Sequence, residues 1–142
     1  MRKRIILSQI PDDFDPNIHI PIGPSRFPGK PMKEICGIPM VGHCYLRAIK
    51  STLVSDTYVA TCDQEIFDYI KSINGNVVMT SPDHERTTDR CAEASEKIES
   101  QLSATSDYVL MLQGDEPFVS REMIDASVQT LLDDPSRMLT NM

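Results

Sequence analysis

The segment Tyr108-Val109-Leu110-Met111-Leu112-Gln113-Gly114-Asp115-Glu116-Pro117 carries five apolar residues that stop at a turn bearing two adjacent carboxylates. An apolar run bounded by polar and turn-forming residues predicts a buried parallel strand. Gly114 lets the backbone turn or approach a ligand, and Pro117 keeps the strand from continuing in a sheet centre. Asp115 and Glu116 are therefore expected just beyond the carboxyl end of that strand, where open α/β sheets bind their ligands. Read alone, an Asp-Glu pair on a loop is more often a solvated turn.

Working outward, helical and strand patterns alternate. Upstream, residues 88–102 predict a helix with Cys91, Ser95, Ile98 and Leu102 on one face. Before it, residues 76–79 predict a strand, and Ile66, Phe67, Ile70 and Ile73 form the stripe of a helix capped by Asp63 and ended by Asn74-Gly75. Residues 57–61 predict another strand. Val41, Cys44, Tyr45, Ala48 and Ile49 recur at helical spacing over 39–50, with Pro39 suited to a first turn. Residues 4–8 predict the first strand, followed by the loop Pro11-Asp12-Asp13-Phe14-Asp15-Pro16-Asn17. Downstream, residues 120–132 predict a helix with Ile124, Val128, Leu131 and Leu132 inward. A turn at 133–136 then leads into the strand-like residues 137–142. Strands separated by such helices imply right-handed crossovers and a mostly parallel, Rossmann-like sheet covered on both faces, an α/β/α three-layer sandwich. The ending at a further strand suggests one incomplete domain over 1–142, with residues 1–22 an atypical opening.

Composition narrows the class. An apolar content of 40% with 25% charged residues is ordinary for a globular chain. A formal net charge of -7 without a basic stripe argues against nucleic acid as a partner. No apolar run has the length of a membrane span, and no secretory signal is evident, so a cytoplasmic protein is expected. Cys36, Cys44, Cys62 and Cys91 form no Cys-x-x-Cys pair, and the His residues are isolated, so these cysteines read as small core residues or inert thiols.

A second stretch adds chemistry. Gly23-Pro24-Ser25-Arg26-Phe27-Pro28-Gly29-Lys30-Pro31 combines two glycines, three prolines and two cations. Close backbone approach, a stiff path and local positive charge suit a polyphosphate cradle, in which Arg26 forks onto oxygens and Lys30 acts as a point charge. A solvated Pro/Gly loop has the same composition. It is not a Walker loop, because Pro31 follows the Gly-Lys pair.

Taken in order, Ser25 to Met32, Gly37-Ile38-Pro39-Met40, Ala60-Thr61-Cys62-Asp63, Met79-Thr80-Ser81-Pro82-Asp83-His84 with Thr88-Asp89-Arg90, and Val109 to Pro117 resemble the amino-terminal half of the sugar-acid cytidylyltransferases. Within that family the resemblance is closest to those acting on 3-deoxy-manno-octulosonate. It implies a nucleotide-diphospho-sugar-transferase type of fold. It also implies transfer of CMP from CTP to a sugar acid with release of pyrophosphate, in the synthesis of lipopolysaccharide or surface-polysaccharide precursors. Mg²⁺ would be required and the full-length protein would be a homodimer. By the same resemblance Lys30 and Asp115 are catalytic, Asp115 binding the metal. Ser25, Arg26, Gly29, Lys30 and Thr80 contact the nucleotide, and Thr88, Asp89, Arg90 and Gln113 lie near the acceptor. Arg90 reads as structural, able to pair with a nearby carboxylate, and His84 as a hydrogen-bonded scaffold residue.

The chain also departs from the pattern. His19-Ile20-Pro21-Ile22 stands where the family carries Ile-Pro-Ala-Arg, without the phosphate-binding Arg, and Arg86-Thr87 replaces a Ser-Gly pair. A non-catalytic nucleotide-binding module, or a nucleotidyltransferase with another acceptor, is the alternative on these grounds.

Overall fold

The computed structural model describes residues 3–8, 29–84, 86–134 and 136. The irregular segment 11–17, the residues 19–22, both Ser25 and Arg26, and the strand-like 137–142 lie outside the described residues. In chain order, strand β1 (Lys3–Ser8) is followed by a 3-10 turn at Lys30–Met32 and a hairpin of β2 (Glu34–Ile35) and β3 (Ile38–Pro39). Cys36 and Gly37 join the hairpin with φ of 52° and 80°. Positive φ at both central residues matches the twist of the flanking strands. Helix α1 (Met40–Ala48) follows, with Pro39 at its N-cap rather than inside its first turn.

Strand β4 (Asp56–Thr61) precedes helix α2 (Gln64–Ser72), whose N-cap Asp63 accepts from the Glu65 N–H at 2.7 Å. That bond satisfies one of the donors a helix start leaves open. The helix ends with Asn74 at φ 56°, Asn74 N–H bonding to Lys71 O and Gly75 N–H to Ile70 O. This is a Schellman ending in which Asn takes the left-handed position. Gly75 is needed for space, since a Cβ there would lie 2.7 Å from Ile70 Cγ2. Strand β5 (Val77–Met79), helix α3 (Thr87–Leu102), strand β6 (Tyr108–Gln113) and helix α4 (Arg121–Asp133) complete the order.

The four long-range strands form one parallel sheet in the order β5-β4-β1-β6. Side chains alternate across it as the two-residue period of a strand demands. Val59 and Val77 join Val41, Cys44 and Ile70 in a core beneath α1, α2 and α4. Ala60, Val78 and Ile6 join Cys91, Ala94 and Ile98 in a second core beneath α3. The result is the three-layer α/β/α arrangement read from the sequence.

Three expectations about burial fail. Leu102 is 43% exposed, and Ala94 takes the core position on α3 instead. Ile49 caps α1 at its C-terminus and is 48% exposed. Strand β6 is buried only in part: Leu112 is 1% exposed, but Val109 and Met111 are 44% and 39% exposed. Among the described residues β6 is the edge of the sheet, and an apolar run does not say whether a strand is central or marginal.

Candidate functional site

The chain order of the sheet reverses between β1 and β6, which are hydrogen-bonded neighbours with Ser8 opposite Gln113. Such a switch point opens a crevice at the carboxyl ends of the strands. The turn at 114–116 leaves β6 there. Gly114 is buried and its carbonyl accepts from the Cys44 thiol of α1 at 3.3 Å. Burial first, with Asp115 adding to it, raises the Cys44 pKa to about 11, so the thiol stays protonated and able to donate. Glu116 N–H closes the turn onto Gln113 O.

Two of the predicted residues meet at this turn. Lys30 Nζ donates to Asp115 Oδ2 at 2.8 Å across 85 positions of sequence. Lys30 is delivered by the 3-10 turn, which follows Gly29 at φ 67° and has Pro31 in its first turn. Both side chains are partly exposed, 43% for Lys30 and 34% for Asp115. The pair is therefore accessible to ligand and weakly stabilising. Gln113 ends β6 beside it and is exposed.

A second group forms after β5. Thr80 N–H continues the sheet to Thr61 O, and its hydroxyl accepts from Arg90 Nη1 at 2.6 Å. The same Arg90 nitrogen donates to Ser81 O at 3.1 Å. Arg90 is 1% exposed, and its Nε and Nη2 have no hydrogen-bond partner among the described residues. Arg90 is thus a scaffold residue, held by a hydroxyl and a carbonyl rather than by the carboxylate expected. Thr88 and Asp89 sit in the first turn of α3 and are exposed. With β4 and β1 lying between the ends of β5 and β6, this group stands three strand spacings, roughly 14 Å, from Asp115.

Glu93, which sequence reasoning passed over, organises the second group. Its carboxylate accepts from Ser81 N–H at 2.9 Å, from Lys97 Nζ at 2.6 Å, and pairs with His84 Nε2. Lys97 also donates to Met79 O at 2.9 Å. Burial raises the Glu93 pKa, but Lys97, the Ser81 N–H and His84 outweigh it and hold the group down at about 2. The Glu93–Lys97 spacing of a favourable helical ion pair was the available signal. His84 is a scaffold residue, as its isolation in the sequence suggested.

No cluster of three or more His, Cys, Asp or Glu side chains able to hold a metal occurs among the described residues. The four cysteines are free, Cys44 and Cys91 buried. A groove of about 820 Å³ lined by His43, Arg47, Lys50 and Arg121 opens between α1 and α4, and none of the predicted site residues lines it. No helix among the described residues is long and apolar enough to cross a membrane.

Comparison with known proteins bears on these groups. The chain is 40% identical over 113 residues to the 3-deoxy-manno-octulosonate cytidylyltransferase of Trichlorobacter lovleyi, covering 80% of this chain and 42% of that one. It is 44% identical over 116 residues to the protein of the same name from Pelobacter propionicus, covering 81% and 43%. It thus spans less than half the length of these relatives. The solved structure of CMP:2-keto-3-deoxy-manno-octonic acid synthetase complexed with CTP superposes with a TM-score of 0.78 at 31% identity, covering 96% of this chain and 49% of that one. The family model described as cytidylyltransferase matches residues 22–142. With that match spanning most of its length, and with the switch-point turn and its lysine both inside it, the chain belongs to the cytidylyltransferase family.

Proposed function

We propose that this chain carries the nucleotide-binding part of a CTP-dependent cytidylyltransferase. The reaction is transfer of CMP to a sugar acid, 3-deoxy-manno-octulosonate, with release of pyrophosphate, for lipopolysaccharide or surface-polysaccharide precursors. The observation that carries the reading is the Lys30–Asp115 pair at the switch point, 2.8 Å apart and open to solvent. The names of the relatives and the CTP in the related structure support it.

In this mechanism Lys30 exchanges its carboxylate partner for oxygens of the triphosphate, which frees the Asp115 carboxylate. Ser25, Arg26, Gly29 and Thr80 complete the nucleotide contacts, Thr88, Asp89 and Gln113 orient the acceptor, and Arg90 holds the backbone at Thr80 and Ser81 in place. The acceptor's anomeric oxygen bonds to the α-phosphorus and loses its proton to solvent, and the bond from that phosphorus to the pyrophosphate oxygen breaks. Lys30 offsets negative charge that grows on the leaving group. The donor set fits Mg²⁺: a hard cation takes oxygen ligands and is commonly held by one or two carboxylates together with substrate phosphates. Asp115 would hold it, and when bound it would neutralise charge on the phosphates. On this reading the protein is cytoplasmic and the full-length protein a homodimer.

Calorimetric titration of this chain with CTP and Mg²⁺, with ATP as control, tests the reading. Selective CTP binding is expected, weakened at least about tenfold by Lys30→Ala and by Asp115→Asn. A folded chain that ignores CTP, or one whose affinity survives both substitutions, would sink it.

A further inference from the structure

We infer that Glu93 is a positioning residue for the nucleotide site, acting through the backbone of Ser81. The inference rests on the proposed function, because the ligand it invokes is CTP. Arg90 and Glu93 stand three positions apart on α3 and so share one face of the helix. They hold Ser81 from its two sides: Glu93 Oε2 accepts the Ser81 N–H at 2.9 Å, and Arg90 Nη1 donates to the Ser81 carbonyl at 3.1 Å. Arg90 Nη1 also reaches the Thr80 hydroxyl at 2.6 Å. The backbone that leaves β5 is thereby fixed at the residue following Thr80, and the orientation of Thr80 follows from it.

The remaining contacts of Glu93 make the grip stiffer than one hydrogen bond. His84 closes the far end of the turn onto the same carboxylate, and Ser81 Oγ and Asp83 bond to each other inside it. Lys97 supports the carboxylate from the next turn of the helix and is 46% exposed. A carboxylate has acceptor sites enough for three donors, and no neutral side chain of that length has. Among the described residues Glu93 bonds to Ser81, His84 and Lys97 and to neither Lys30 nor Asp115, so its effect on the ligand is transmitted through Ser81 and Thr80.

Two substitutions in the full 142-residue chain separate positioning from simple stabilisation. Glu93→Ala removes the acceptor of Ser81 N–H. Lys97→Met breaks the helical ion pair and the bond to Met79 O but leaves that acceptor in place. Both should lower the thermal midpoint. CTP affinity, titrated with Mg²⁺, should fall at least about tenfold in Glu93→Ala and change less than about twofold in Lys97→Met. The Ser81 amide should exchange with solvent faster in Glu93→Ala only, and combining it with Thr80→Val should cost less affinity than the product of the single losses. Affinity that tracks stability in both variants, or that survives Glu93→Ala, overturns the inference. If the parent chain does not bind CTP, the proposed function fails and this role fails with it. Parent binding with an unaffected Glu93→Ala removes only the positioning role.

Discussion

The turns after β5 and β6 leave the carboxyl ends of strands in one parallel sheet, yet they are held in opposite ways. The turn at 80–84 is anchored from α3 by a fully buried guanidinium and by a carboxylate that gathers three donors. The turn at 114–116 is anchored to α1 by one thiol bond, and its Asp115 meets Lys30 where both side chains are open to water. A group that must exchange its partner for a ligand gains from weak, solvated pairing, while a group that must keep a backbone path gains from buried bonds. The first turn is built for shape and the second for turnover of partners.

The largest expected effect comes from Arg90→Ala. It deletes a buried side chain and strips Thr80 Oγ1 and Ser81 O of their donor. A loss of about 2–4 kcal/mol in urea denaturation is expected, the range of a large-to-small core change that leaves polar atoms unpaired. A loss under 1 kcal/mol would mean that Nε and Nη2, without partners among the described residues, already cancel what the two bonds contribute.

Acid should separate the two turns next. The Glu93 pKa is lowered from 4.5 to about 2, so its contribution is complete above the higher value and is lost as pH falls from there toward the lower. The loss is on the order of 2 kcal/mol once screening at the half-exposed Lys97 is allowed for. Glu93→Gln should remove that part of the acid slope in urea titrations between about pH 5 and pH 2. An unchanged slope would place the acid sensitivity elsewhere.

The smallest effect is expected at the open pair. Lys30→Met should change stability by less than about 0.5 kcal/mol, as for an exposed ion pair. If unfolding shows a cost above about 1 kcal/mol, the pair is structural and the contrast between the turns fails.

Much of the fold could be read from residue order. Period and punctuation located every long strand and helix among the described residues, because apolar spacing, the Asp63 cap and the Asn74-Gly75 ending are local signals. Burial was less legible. Leu102 and Met111 are apolar at positions where the pattern demands it, yet solvent reaches both, because exposure depends on what packs alongside. In the candidate site, Lys30 and Asp115 were legible through motif resemblance, whereas Glu93 was not. A Glu four residues before a Lys on a helix looks like any solvated pair until the turn after β5 folds back onto it.

Residue order was enough for the α/β alternation, the turn that follows β6 and the family to which the chain belongs, since these depend on periodicity and on motifs read along the chain. Folding in three dimensions was needed to make β6 an edge among the described residues, to carry Lys30 across 85 positions to Asp115, and to set Arg90 and Glu93 on the two peptide groups that flank the Ser81 Cα. Those contacts join residues whose separation along the chain carries no signal, and they exist because the crossovers bring the carboxyl ends of the strands to one end of the sheet.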